Sequence, residues 1–251
     1  MKQKYQDEGY CIQECLFLGS EIDELNSLIY QFAPSDFGAI INPDRPDFLI
    51  AQSLDQNKPL YEQVAHVEKC YSTAHIFRKL MKNSKIVDII ENIHGKKMVA
   101  LSSHMLFKQP GSPYAKQAWA LHQDNSYAQN KNGELITINI FFKDAFPQNG
   151  TVFVYPKSHK LGILEYKARK SYGQAIDPGN KVTIPDGYER IDIYGISGDV
   201  LFMNGNCVHG SYANETQHPR PMFSVTYIAE GEEFLSGKNT QRKVISLHAG
   251  D

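Results

Sequence analysis

The stretch Leu135-Ile136-Thr137-Ile138-Asn139-Ile140-Phe141-Phe142 constrains this chain more than any other. Its period of two puts Ile136, Ile138, Ile140 and Phe142 on one face and Thr137 and Asn139 on the other, a pattern that suits a strand and not a helix. The apolar face must be buried. The polar face either meets water, as in an ordinary half-exposed strand, or lines a cavity. Residues 99–108, 118–122, 151–155, 191–193, 198–203, 208–211 and 220–227 carry the same β texture, bounded by Gly, Pro, Asn and Asp. Gln109-Pro110-Gly111-Ser112-Pro113 is expected to turn the chain, and Asn149-Gly150 to close a hairpin that pairs 151–155 with the strand before it.

The first part of the chain reads differently. A short strand is expected over 9–17. A helix should follow, opened by a capping box at Ser20-Glu21-Ile22-Asp23, carrying Ile22, Leu25, Ile29 and Phe32 at helical spacing, and closed by Pro34. Residues 34–57 are polar and proline-rich, an expected surface loop with Phe37, Ile40, Ile41 and Phe48 as anchors. Two more helices are expected, over 60–82 and over 84–92, the latter ended by Gly95. His66 and His75 fall in the first of these and read as satisfied or surface histidines. Residues 157–188 hold Lys157, Lys160, Lys167, Arg169 and Lys170 with little periodicity, as in a lid or binding loop or a solvated basic loop.

The 251 residues can bury a full core, so one domain over 1–251 is expected, with helical cover over about 1–96 and a β core over about 97–230. With 26 Lys+Arg against 28 Asp+Glu, no field favours nucleic acid or an anionic membrane, and a small molecule is the expected partner. Cys11, Cys15, Cys70 and Cys207 form no C-x-x-C pair, which points to a reducing cytoplasm. The N-terminus lacks an apolar signal region and no run approaches a membrane span.

The chemistry is concentrated in His122-Gln123-Asp124 and His209. A His and an Asp two apart on extended backbone share a face, and a distant His completes three facial ligands that leave positions open on a metal. Such a set suits Fe(II) that must also take a 2-oxo acid and O₂. Ser211 has the parity of His209, and Arg220 opens the last strand. A 2-oxo dicarboxylate chelating iron would leave a distal carboxylate in need of a fork of donors, which Arg220 supplies and Ser211 supplements. Taken alone, Arg220 would sooner pair with Glu215 at the surface. The joint order of the residues favours the site.

Several ordered blocks then carry a resemblance. Leu121-His122-Gln123-Asp124, the run from Phe142 through Asn149-Gly150-Thr151 to Tyr155-Pro156-Lys157-Ser158-His159-Lys160-Leu161-Gly162, Gly198-Asp199-Val200-Leu201-Phe202, His209-Gly210-Ser211 and Arg220 together resemble the phytanoyl-CoA dioxygenase family over roughly 98–229. The resemblance implies a mainly β fold with flanking helices and a double-stranded β-helix core of jelly-roll, cupin-like type. It implies dependence on Fe(II), 2-oxoglutarate and O₂, with His122, Asp124 and His209 as iron ligands and Arg220 and Ser211 on the distal carboxylate. Asn139 stands where many members carry Trp, so it is expected to face the co-substrate or substrate. His104 falls where the family lines the same pocket. Asp124 in place of Gly or Ala disfavours the halogenase variant and makes hydroxylation the default, with release of succinate and CO₂. Desaturation, cyclisation or epimerisation in the same fold, or a non-catalytic metal-binding jelly roll, are the alternatives. His159 reads as structural. Selectivity is expected in 112–119, 125–132 and 157–188, whose Lys167, Arg169 and Lys170 would suit an anionic substrate.

Overall fold

The structure, a computed structural model, describes residues 1–36, 39–41, 48–50, 54–64, 66–72, 75–110, 118–167, 180–235 and 243–248. Its helices are α1 Lys2–Glu8, α2 Gly19–Gln31, α3 Leu60–Gln63, α4 His75–Met81 and α5 Ser84–His94. Its strands begin with β1 Tyr10–Gln13, β2 Ala39–Ile41, β3 Phe48–Ile50, β4 His66–Glu68, β5 Met98–Leu106, β6 Trp119–His122, β7 Leu135–Phe141 and β8 Val152–Val154. They continue with β9 Tyr166–Lys167, β10 Lys181–Val182, β11 Ile191–Asp192, β12 Val200–Asn204, β13 His209–Ser211, β14 Met222–Ala229 and β15 Ile245–Ser246.

Two antiparallel sheets carry the fold. The larger runs β1-β12-β7-β14-β5-β15, with β4 also on β5, and the smaller runs β11-β8-β13-β6. Between β5 and β14 the chain repeatedly passes from one sheet to the other, and this interleaving is the jelly roll. The outer face of β7 is as apolar as its alternation requires. Ile136, Ile138 and Ile140 join Phe202, Phe223, Val225 and Tyr227 in one buried cluster with Ile22, Leu25 and Ile29 of α2, Phe77 of α4 and Ile86 and Ile90 of α5. Phe77 stacks on Phe223 with ring centroids 5.1 Å apart. The helices therefore cover the outside of the larger sheet, and its inner face is left for Thr137 and Asn139. Both are buried and line a cavity between the sheets, which excludes the water-facing alternative.

Several expectations are corrected. Residues 60–82 are not one helix, because the three-residue strand β4 interrupts them and pairs with β5. α2 starts at Gly19 behind Leu18, whose N–H donates to Glu21 Oε2 at 2.8 Å, so the Glu closes the helix start and Ser20 lies inside it. Asn149-Gly150 turns the chain, but β8 pairs with β11 and β13 while β7 pairs with β12 and β14, so the turn joins two sheets. β1 and β4 make residues 1–96 contributors to the larger sheet as well as to its cover. α1 and β15 were not anticipated, and 157–188 includes the β9–β10 pair. α5 ends as expected, with Gly95 at φ 69 donating to the Glu91 carbonyl at 2.7 Å. Gly111, Ser112 and Pro113, Phe37, Arg169, Lys170 and the side chains of Ile40, Ile41 and Phe48 lie outside the described residues. Among the described residues no helix is long and apolar enough to cross a membrane.

Candidate active site

β6 and β13 are neighbours in the smaller sheet, with His122 directly opposite His209. Gln123 keeps extended backbone at φ −122 and ψ 129, so Asp124, which opens a 3-10 turn, stays on the side of His122. The intervening Gln123 is fully buried and acts as a clamp. Its Nε2 donates to the carbonyls of Gly162 at 2.8 Å and Asn206 at 2.6 Å, and its Oε1 accepts from Leu164 N–H at 2.8 Å. Asn125 N–H donates to the Gly205 carbonyl at 2.8 Å, which ties the same turn to the segment that leads into His209. Ser158 fixes that segment from the other side, its Oγ accepting from Val208 N–H at 2.8 Å.

The result is a facial set. His122 Nε2 and His209 Nε2 lie 3.6 and 3.7 Å from Asp124 Oδ1, spacings that metal bonds of about 2.0–2.2 Å can span. Each ring is held through its other nitrogen. His122 Nδ1 donates to the Ala120 carbonyl at 2.7 Å and His209 Nδ1 to the Cys207 carbonyl at 3.0 Å, which leaves both Nε2 lone pairs facing Asp124. Burial, and then the His122 ring beside it, push His209 down to about 4, so it is neutral at pH 7 and needs to lose no proton to bind a metal. Burial raises the Asp124 carboxyl, but His209, His122 and the Thr137 hydroxyl outweigh it and hold the group well below the usual carboxylate range. Two imidazoles and one carboxylate are the donor set that suits non-haem Fe(II).

Two cations are buried at one end of the same cavity, Arg220 at 1% and Lys108 at 5% exposure. Arg220 donates from Nε to the Asn149 carbonyl at 3.3 Å and from Nη2 to the Gly150 carbonyl, and its Nη1 meets Met222 Sδ at 3.3 Å. Among the described residues no carboxylate reaches it, Glu215 included, so the surface-pair alternative fails. Lys108 leaves β5 at φ 46, its carbonyl accepting from Asn214 Nδ2 at 2.7 Å. Its Nζ donates to Ser211 Oγ at 2.9 Å and to the Tyr212 carbonyl. Burial and, after it, the charge of Arg220 push Lys108 well below the usual lysine range. Lys108 was not singled out as a site residue. The available signal was parity, since His104, Leu106 and Lys108 share one face of the strand.

The cavity holds about 320 Å³. Its floor is a row of side chains in register across four strands of the larger sheet: Asn139 opposite Ser224, Ser224 opposite His104, and His104 opposite Glu68. Asn139 and His104 therefore line the pocket as expected, and His66 and Glu68, which the helical reading misplaced, line it too. The available signal was His66-Val67-Glu68 itself, two polar residues flanking an apolar one. His159 lies outside this pocket, with Nε2 3.0 Å from the Gln6 carbonyl.

The Phytanoyl-CoA dioxygenase (PhyH) profile matches residues 5–222. The chain belongs to the phytanoyl-CoA dioxygenase family. It is accordingly an oxygenase of the iron- and 2-oxoglutarate-dependent kind, and the buried donor set and paired cations fit both groups. A probable alpha-ketoglutarate-dependent hypophosphite dioxygenase of Stutzerimonas stutzeri is 23% identical over 231 residues, covering 91% of this chain and 77% of that protein. A methylphosphonate hydroxylase of Gimesia maris is 28% identical over 184 residues, covering 69% and 64%. Among solved structures, the epimerase SnoN in complex with Fe3+, alpha ketoglutarate and nogalamycin RO superimposes with TM-score 0.71 over 99% of this chain and 94% of its own, at 17% identity. EctD from S. alaskensis with 2-oxoglutarate and 5-hydroxyectoine gives 0.67 over 93% and 77%, at 16% identity. These likenesses establish the double-stranded β-helix for this phytanoyl-CoA dioxygenase family member.

Proposed function

We propose that the chain hydroxylates an unactivated carbon of a small-molecule substrate, with His122, Asp124 and His209 holding Fe(II) and with Arg220, Lys108 and Ser211 holding the distal carboxylate of 2-oxoglutarate. The observation that carries this reading is Arg220, a fully buried guanidinium with no carboxylate in reach among the described residues, opening onto the cavity that also holds the two-His, one-Asp set. A buried charge without a counter-charge is costly, and a dianionic ligand supplies what is missing. When bound, the iron and 2-oxoglutarate supply the oxidation: O₂ converts 2-oxoglutarate to succinate and CO₂, and one oxygen atom enters a C–H bond of the substrate. The residues of the chain bind, orient and exclude water. Carbonyls of Ala120 and Cys207 hold the two imidazoles, Arg220 and Lys108 fix the far end of the co-substrate, and Asn139 faces co-substrate or substrate from the floor.

Residues 1–251 act in this reading as one domain, in a reducing cytoplasm that suits four free cysteines. One cavity takes co-substrate and substrate together, which supports a small substrate. An anionic one is supported by the named substrates of the first two relatives, hypophosphite and methylphosphonate. Lys167, on β9, lies outside the cavity lining.

The test is 2-oxoglutarate turnover with Fe(II), followed by succinate release across a panel of small oxyanions and amino acids. Product one oxygen atom heavier than substrate supports hydroxylation, loss of two hydrogens shows desaturation, and an unchanged mass shows epimerisation. Arg220→Ala should weaken 2-oxoglutarate binding by on the order of 2–5 kcal/mol while iron affinity holds. Unchanged 2-oxoglutarate dependence in that variant would remove Arg220 from the site.

A further inference from the structure

A second set of two imidazoles and one carboxylate faces the same cavity. His66 and Glu68 lie two apart on β4 and share a face, and Glu68 sits directly opposite His104 of β5. The candidate ligand atoms of the three residues all lie within 4.8 Å of one another, and His104 Nδ1 is 4.0 Å from Glu68 Oε1. We propose that His66, Glu68 and His104 form a second metal site, distinct from the His122, Asp124, His209 set, which takes a divalent ion such as Zn²⁺ with one position open to the cavity.

The chemistry of the donors is that of a three-ligand zinc site, with two nitrogens, one carboxylate oxygen and room for a water or ligand atom. His104 is already held as a ligand should be, because Ser102 Oγ lies 3.2 Å from its Nε2 and leaves Nδ1 turned to Glu68. His66 is 4% exposed and its ring packs at 5.8 Å on Trp119 and at 6.3 Å on His104, which fixes its plane. Glu68 is the adjustable member. Its side chain is 31% exposed, so a rotamer change can close the last ångström that bonds of about 2.0–2.2 Å require. Trp119 packs against one histidine of each set, with its ring 5.8 Å from His66 and 6.0 Å from His122. The two sets share no residue, so an ion held by one leaves the ligands of the other free.

The experiment loads the full chain with Fe(II) without O₂, adds Zn²⁺ alone, and counts both metals after gel filtration. The expected result is one zinc bound beside one iron, with nitrogen and oxygen neighbours in zinc X-ray absorption. Glu68→Gln, which keeps the shape of the side chain, and His104→Ala should each weaken zinc binding at least tenfold while the iron count stays at one. Zinc that only displaces iron, zinc bound through sulfur, or folded variants that retain zinc at wild-type affinity would each overturn the site. The sulfur readout needs no variant, so it decides even where His104→Ala fails to fold.

Discussion

Lys108→Met separates co-substrate binding from folding. Its ammonium is buried beside Arg220 and bonded to Ser211 Oγ and the Tyr212 carbonyl. In the protein without co-substrate this cation is a burden, because burial and then Arg220 disfavour its charged form. Methionine has similar length and no charge to desolvate, and such replacements of buried charges are commonly neutral or stabilising by about 1–4 kcal/mol. The two lost hydrogen bonds offset this, since an unsatisfied Tyr212 carbonyl costs about 1–3 kcal/mol. Stability without co-substrate should therefore stay within about 2 kcal/mol of wild type. Binding of 2-oxoglutarate should fall, by the lower end of the 2–5 kcal/mol range because Arg220 remains, or roughly 30- to 100-fold in Kd. Urea denaturation measures the change in stability, and calorimetric titration of 2-oxoglutarate into the iron-loaded variant without O₂ measures the change in binding. A variant that keeps its 2-oxoglutarate affinity but loses several kcal/mol of stability would show that Lys108 is a structural tie between β5 and the 211–212 segment.

Other perturbations follow from the same geometry. Asp124→Ala should lower iron affinity and abolish turnover while circular dichroism stays native, because it removes the only anionic member of the facial set and leaves the Gln123 clamp intact; wild-type turnover at wild-type iron affinity would exclude Asp124 as a ligand. Gly150→Ala should cost at least about 1–3 kcal/mol and weaken 2-oxoglutarate binding, since Gly150 has φ 86 and a Cβ there would meet the Tyr212 carbonyl oxygen at 3.0 Å and Lys108 Cδ at 3.2 Å; unchanged urea midpoint and affinity would contradict this. Acidification should weaken the metal-free protein between about pH 6.5 and 4. His209 titrates near 4 when folded and near 6.5 when unfolded, so the unfolded chain takes a proton that the folded one refuses, for on the order of 3 kcal/mol in all. Asp124, held below its usual range, adds its own loss only at lower pH, so His209→Gln should show a smaller loss between 6.5 and 4, the remainder coming from His94 and His159, which burial also lowers; an unchanged loss would contradict this.

The iron set was legible in the sequence because its chemistry is partly local: His122 and Asp124 share a face on extended backbone whatever the rest of the chain does. β7 was legible because its apolar face is strictly periodic, and the helices that cover it show the matching helical period in Ile22, Leu25 and Ile29. β4 was not legible. Three residues are too few to show a period of two, and Leu60, Val64 and Val67 are also consistent with helical spacing, so pairing with β5 decides between the readings. Lys108 was missed for a different reason. A lysine at a strand end is ordinarily solvated, and only the approach of Ser211 and Arg220 from elsewhere in the chain makes it part of a site.

Asn149-Gly150 shows how a correct local signal can serve a different long-range purpose. The turn forms, with Gly150 N–H donating to the Pro147 carbonyl at 3.1 Å and Gly150 at φ 86, yet it sends the chain into the opposite sheet. That crossing leaves the Asn149 and Gly150 carbonyls turned toward the cavity end, where Arg220 donates to both. The absence of a Cβ at Gly150 also leaves space for the Lys108 stem and the Tyr212 carbonyl. Among the described residues the guanidinium is thus held by neutral acceptors, and its positive charge is available to an anion. A hairpin within one sheet would have spent these carbonyls on a ladder, so the crossover that defeats the local reading is also what equips this end of the cavity for a carboxylate.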